Sequence, residues 1–252
     1  KRLDLFFFFG YHSFMPHFFI NSSQIKENKI TDKENFNHII KALRTKIGEN
    51  LKFIDENGMI YESILKKCEN NELIAEISNS YPCTRYLDFE LCLAQSPLNS
   101  NSQNTIIEKA TELGVSQIYP IYTDNCAVKK SVLDNKIPKW QKIMQEASKQ
   151  CERAFVPVCH PLTTLNELLK MKFDRILVMA EKFSNETLKS YLSKNLIKNG
   201  EKVLVIIGPE GGFSNEEFDL FKSLPNVKML SLGKLILKAD TAVISALGNI
   251  VL

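Results

Sequence analysis

No apolar run in this 252-residue chain approaches the roughly 18 residues that a membrane-spanning helix requires, so no helical membrane span is expected. The six cysteines, Cys68, Cys83, Cys92, Cys126, Cys151 and Cys159, show neither CxxC nor Cys/His ligand spacing. A zinc centre and a disulfide framework are therefore both poor readings, and reduced thiols in a cytoplasmic protein remain the expectation. No GxGxxG follows a strand, and no Lys-Ser or Lys-Thr stands at Walker spacing, which argues against nicotinamide chemistry and nucleotide phosphate binding. Charge of one sign is scarce too. Thirty-two Lys and Arg against 29 Asp and Glu leave a net charge of +3, too little for a basic nucleic-acid coat, although a local basic face stays possible. His38 and His160 have no neighbouring ligand set, so no metal site is assigned.

At the start of the chain, Phe6 to Phe9 form an apolar cluster that is too short for a signal peptide and is preceded by Asp4. Export is not expected. Met15-Pro16-His17-Phe18-Phe19 reads as a natural start, which makes residues 1–14 an upstream extension with no structural role. Four exposed phenylalanines without a partner would be an aggregation hazard.

Two different rhythms follow. From residue 15 to 84 the chain reads as a small, mainly antiparallel β unit. It has a helix-like stretch from Lys33 to Leu43, extended runs at 51–55, 59–65 and 72–77, and an Asn57-Gly58 hairpin signal. Tyr81-Pro82-Cys83-Thr84 punctuates its exit. From residue 85 to 252 strands alternate with helices. Strand-like runs fall at 87–94, 117–122, 155–158, 175–179, 203–207 and 227–231, with a capping box at Thr105 and Glu108, a helix end at Gly114 and a first-turn proline at Pro138. This alternation predicts an α/β domain, a parallel sheet with helices on both faces.

The richest stretch is Gly208-Pro209-Glu210-Gly211-Gly212-Phe213, directly after Val203 to Ile207. Ligands bind beyond the carboxyl ends of parallel strands, and glycines admit backbone where a Cβ would obstruct. Ser214 and Glu217 form a capping box, so the turn feeds a helix N-terminus. Downstream lies Leu232-Gly233-Lys234-Leu235-Ile236-Leu237-Lys238-Ala239-Asp240-Thr241-Ala242.

Together with Thr111-Glu112-Leu113-Gly114-Val115, Glu146-Ala147-Ser148-Lys149-Gln150 and Met15 to Phe19, these segments resemble the ribosomal RNA small subunit methyltransferase E family of the SPOUT superfamily. The resemblance runs over nearly the whole chain from Met15. It implies a PUA-like β-barrel domain at 15–84 and a SPOUT-type domain with a trefoil knot at 85–252. The implied activity is methyl transfer from S-adenosylmethionine to N3 of a uridine in 16S ribosomal RNA, by a cytoplasmic homodimer acting on the RNA or the assembled small subunit.

On that resemblance Gly208, Pro209, Glu210, Gly211, Gly212, Leu232, Gly233, Ile236 and Leu237 are the cofactor-binding candidates; strand-end placement alone adds Leu177 to Glu181 as a further wall. Backbone groups and aliphatic side chains suit an adenine face. Uridine N3 must lose its proton, so a cation beside the uracil carbonyl helps; Arg153 and Lys238 are the catalytic candidates. Arg153 reads equally well as a cation at a helix C-terminus, and Glu210 as structural. His17, Lys129, Lys130 and Lys149 are the RNA-binding candidates. Trp140 reads as core or interface. Where relatives carry Arg, Arg and Glu in the second motif, this chain has Leu235, Lys238 and Asp240, and His17 stands where an arginine is common. A noncatalytic RNA-binding relative is therefore the alternative function.

Overall fold

A computed structural model of the chain describes residues 17–98 and 100–252, apart from the side chains of Ser100, Asp134 and Lys182. The expectations for residues 1–14 and for Met15 and Pro16 lie outside the described residues. The chain divides into two compact units between Cys83 and Thr84.

The first unit is a six-stranded sheet in the order β1-β4-β5-β6-β3-β2. Its strands are β1 (His17–Phe19), β2 (Ile25–Lys26), β3 (Lys29–Asp32), β4 (Asn50–Ile54), β5 (Met59–Glu69) and β6 (Glu72–Pro82). Among the described residues of this unit only the β1–β4 pair is parallel. The hairpin expected at Asn57-Gly58 forms because Asp55 Oδ1 accepts from the Asn57 and Met59 amides, each at 2.9 Å, while Gly58 takes φ +76°. Asn70 and Asn71 close β5 onto β6 with φ of +52° and +58°, as a two-residue hairpin loop requires. Phe18, Ile30, Ile39, Phe53, Leu65 and Leu73 fill the core.

One expectation here is corrected. The stretch from Lys33 to Leu43 forms only a π-helical turn over Asn37–Ala42, with the Leu43 amide bonded to His38 O five residues back. Asp32 Oδ1 captures the Glu34 amide at 3.0 Å before it, and Arg44 at φ +57° ends it.

The second unit comprises β7 (Glu90–Gln95), α1 (Ser100–Glu112), β8 (Gln117–Tyr122), α2 (Lys130–Leu133), α3 (Ile137–Gln150), β9 (Val158–Cys159) and β10 (Thr163–Thr164). It continues with α4 (Leu165–Leu168), β11 (Arg175–Met179), α5 (Leu188–Lys194), β12 (Lys202–Ile207), α6 (Asn215–Lys222), β13 (Val227–Leu230) and α7 (Ala239–Val251). Its seven strands are all parallel, in the order β10-β8-β7-β12-β11-β13 with β9 also on β8.

Strand alternation sorts the two faces. Leu91, Leu93, Val203, Val205 and Ile207 point to a core shared with residues of α1, α3, α5 and α7, which also buries Trp140. Cys92, Ala94, Leu204 and Ile206 point to the opposite core under α4 and α6. Helices on both faces explain why these strands read as unbroken apolar runs. None of the six cysteines forms a disulfide, and burial pushes the thiols of Cys92 and Cys159 up to about 12, so neither is a ready nucleophile.

Helix α1 begins earlier than its capping box suggests. Thr105 lies inside it, bonding back to Asn101 O at 3.3 Å, and Glu108 pairs with Lys109 instead of capping. Gly114, at φ +86°, ends the helical run as expected. After β13, Ser231 bridges in parallel to Thr187, its amide bonded to Glu186 O at 3.0 Å. From there α7 crosses to pack on α1, α5 and β12. Among the described residues no helix is long and apolar enough to cross a membrane.

Candidate functional site

β7 and β12 lie side by side although far apart in sequence, and their carboxyl ends, Gln95 and Ile207, are register partners. The glycine turn leaves from this point. Gly208 is held by packing: a Cβ there would sit 2.9 Å from the Phe213 ring. That ring stands edge-on to Phe218 and Phe221, with centroids at 5.9 and 5.1 Å, so it cannot move aside cheaply. Gly211 has the same explanation, because its Cβ would meet Asn125 Cβ at 3.1 Å. Gly212 differs. It takes φ +71° with open space where a Cβ would be, and its amide closes the turn on Pro209 O at 2.9 Å.

Ser214 caps α6 as expected, its Oγ accepting from the Glu217 amide at 3.2 Å and Glu217 Oε2 accepting from the Ser214 amide at 2.8 Å. The same groups reach across to the loop after β8. Ser214 Oγ donates to Asp124 Oδ2 at 2.6 Å, the Asp124 amide donates to Glu217 Oε1 at 3.1 Å, and Asn125 Nδ2 donates to Gly212 O at 3.1 Å. Burial, with Asp124 and Glu216 nearby, pushes the Glu217 carboxyl up, against the pull of the two amides it accepts. Sequence reasoning missed Asp124 and Asn125, whose only local signal is a polar run at the carboxyl end of a parallel strand.

The second motif leaves the same end of the sheet and is tied down far less. Leu232 and Leu237 pack on the core, whereas Leu235 and Ile236 are 77 % and 85 % exposed. Gly233, at φ +140°, faces open space. Among the described residues, the main chain of 232–237 makes no hydrogen bond within the protein. Exposed aliphatics beside unspent amides and carbonyls fit a ligand with a flat apolar face and polar edges, as adenine has. Lys238 is exposed at the N-cap of α7, where the first free amides of that helix lie. Glu210 is exposed. Of the further wall at Leu177 to Glu181, only Glu181 reaches the surface; the other four residues are interior strand and its end.

Arg153 is not part of this arrangement within the protomer. Its Nη1 donates to Thr111 O and Val115 O, both at 2.8 Å, closing the C-terminal end of α1, and burial lowers its pKa. It lines a cavity of about 530 Å³ together with Glu90, Ser116 and Gly200, at the amino ends of the strands, opposite the glycine turn. Its side chain thus serves the end of α1 and not that of α3, the helix it follows in sequence.

The RNA-binding candidates separate likewise. Lys129 and Lys130 are exposed, four and five residues beyond Asn125. Lys149 is buried on α3 and paired with Glu146 at 3.1 Å, and His17 is buried in β1 at 2 % exposure. Neither of those two presents a surface to RNA, because each lies on the packed side of its element.

Comparison with known proteins follows the two units. Residues 85–251 match the RNA methyltransferase domain model, and residues 30–78 match the RNA methyltransferase PUA domain model. The chain is similar to the ribosomal RNA small subunit methyltransferase E of Rickettsia conorii, at 28 % identity over 92 % of this chain and 93 % of the relative. It is similar to the protein of the same name from Mesomycoplasma hyopneumoniae at 29 % identity, covering 91 % and 96 %. Its fold superposes with a TM-score of 0.81 on a Legionella pneumophila methyltransferase solved with the bound cofactor SAM, at 25 % identity over 94 % and 96 % of the two chains.

Proposed function

We propose, from the premise that this chain belongs to the RNA methyltransferase family, that it transfers a methyl group from S-adenosylmethionine to N3 of a uridine in the small-subunit (16S) ribosomal RNA. The observation that carries this reading is the exposed, unspent main chain of 232–237 with Ile236, leaving the same sheet end as Gly212. Residues 15–84 serve as the PUA-like RNA-binding domain and 85–252 as the catalytic domain. The course of the chain past Thr187 into α7 supports a SPOUT-type trefoil knot. Exposed Leu235 and Ile244 support a homodimer. The reaction is placed in the cytoplasm, where the substrate RNA is assembled.

In this assignment Gly208, Pro209, Glu210, Gly211 and Gly212 form one wall, with Gly212 the point of closest backbone approach. Leu232, Gly233, Ile236 and Leu237 form the other, and their free amides and carbonyls with the exposed Ile236 would hold the adenine. When bound, S-adenosylmethionine would supply an electrophilic methyl group on a sulfonium to the uridine N3, with S-adenosylhomocysteine as the leaving product and the N3 proton released to water. Lys238, at the positive end of α7, stabilises the negative charge that the uracil carbonyls gain as that proton leaves. Lys129 and Lys130 hold RNA phosphates. Arg153 keeps α1 in place and takes no part in the chemistry.

The test is incubation of the purified protein with labelled S-adenosylmethionine and small ribosomal subunits lacking the modification, followed by mapping of the methylated base. Label at a uridine N3 is the expected result. The departures at Leu235, Lys238 and Asp240 favour one alternative, a noncatalytic RNA-binding relative. Cofactor binding without incorporation into any subunit preparation would select it.

A further inference from the structure

The glycine turn and the basic loop are joined by contacts of two neighbouring residues, Asn125 and Asp124. Asn125 Nδ2 donates to Gly212 O at 3.1 Å and reaches Gly211 O at 3.4 Å. Its Cβ would lie 3.1 Å from a Cβ at position 211, a tight contact that favours glycine there. Beside it, Asp124 holds the same turn through Ser214 Oγ at 2.6 Å and through its own amide to Glu217 at 3.1 Å. The loop then runs through buried Val128 directly to exposed Lys129 and Lys130. Carbonyl orientation in the turn and the path of the lysine loop are thus fixed by the same contacts.

We propose that Asn125 is a positioning residue that couples cofactor occupancy of the glycine turn to the RNA affinity of the Lys129–Lys130 loop. The inference rests on the reading that S-adenosylmethionine seats on Gly208 to Gly212. A ligand pressed against Gly212 restricts the turn; with Asn125 clamped to its carbonyls, the loop loses the same freedom before RNA arrives. RNA then spends less of its binding energy on ordering the loop, and by linkage it raises cofactor affinity by an equal factor.

The test measures binding of labelled 16S ribosomal RNA by anisotropy, with and without saturating S-adenosylmethionine, and cofactor binding by calorimetry. Wild type is compared with Asn125→Asp, which keeps the shape and loses the donor, and Asn125→Gln, which keeps the donor. For wild type, cofactor tightens RNA binding by about three- to tenfold, the worth of one or two exposed hydrogen bonds. In Asn125→Asp that enhancement disappears and cofactor binding weakens by a similar factor, at an unchanged melting temperature. Asn125→Gln recovers part of both. Undiminished coupling in Asn125→Asp, or a wild type whose RNA affinity ignores the cofactor, overturns the proposal while leaving the methyltransferase reading intact. A wild type that binds no S-adenosylmethionine overturns both. Should Asn125→Asp melt early, Asp124→Asn, which keeps the loop's shape and loses the carboxylate that Ser214 Oγ donates to, weakens the same latch and must reduce the enhancement.

Discussion

The amino end of the parallel sheet and the 232–237 segment at its carboxyl end use their polar groups in opposite ways. At the amino end the side chains are spent on one another and on main chain. Arg153 binds two carbonyls of the α1 terminus, Lys202 pairs with Glu90 at 3.0 Å, and Arg175 pairs with Glu201 at 2.9 Å while also binding Asn195 O. His160 stacks on Tyr119 at 4.2 Å and bonds Gln117 at 2.9 Å. At the carboxyl end the main chain of 232–237 is unspent and two aliphatic side chains stand in solvent. An end whose groups are consumed internally contributes stability, and an end that leaves them open has capacity for a ligand. The contrast also explains why a buried arginine in a methyltransferase domain lies outside the proposed chemistry.

That contrast makes separable predictions. The largest effect is expected for Arg153→Ala, which strands two buried carbonyls and lowers stability by about 3 kcal/mol in urea melts. Its cofactor affinity, measured at a temperature where it is folded, stays at the wild-type value. A selective fall in kcat with unchanged stability would break the division of labour between the ends. Next comes Ile236→Asp, the mirror case. Removing an 85 % exposed aliphatic leaves the melting temperature unchanged, and the lost apolar contact with added desolvation weakens cofactor binding by about 2 kcal/mol, roughly thirtyfold. Calorimetric titration reads it, and a thermal shift without an affinity change would reverse its assignment.

Gly212→Ala sharpens the picture within the carboxyl end. Its φ of +71° costs an L residue about 1 kcal/mol, so stability and cofactor affinity both fall slightly. Gly208→Ala, by contrast, collides with Phe213 and affects stability first.

The smallest effect concerns pH. Burial, with Lys202 nearby, holds the His160 imidazole below its ordinary 6.5. The unfolded chain therefore binds more protons between the folded value and 6.5, so stability falls as pH drops through that window and is level above it. His160→Gln, which keeps a hydrogen-bonding group, should flatten this part of the stability profile in acid melts. Cofactor affinity should not follow the same curve if the two ends are independent.

Much of this arrangement was legible in the sequence because it is local. β12 followed by three glycines, the Ser214–Glu217 box and the Asn57-Gly58 hairpin each depend on residues close together in the chain. What was not legible depends on partners that are distant or on competition between equal local signals. Thr105 and Glu108 have capping-box spacing, but helical pairing beginning at Ser100 leaves them interior. Lys149 reads as a surface cation until its helix packs and Glu146 takes it up. Arg153 carried two readings at once, and only the position of the α1 terminus separates them. Asn125 had no sequence pattern because its partners, Gly211 and Gly212, lie 86 and 87 residues further along the chain, after β12, which only β7 separates from β8 in the sheet.

The passage of residue 231 alongside Thr187, followed by the docking of α7 on α1, has a consequence for biosynthesis. Every strand of the sheet is translated before residue 239 leaves the ribosome, and α7 must then find contacts made by a helix that emerged near the start of the domain. Pairings of such sequence separation form slowly. Until they form, α7 does not hold the far end of Leu232 to Lys238, so a nascent or prematurely terminated chain folds its sheet without acquiring the proposed cofactor pocket.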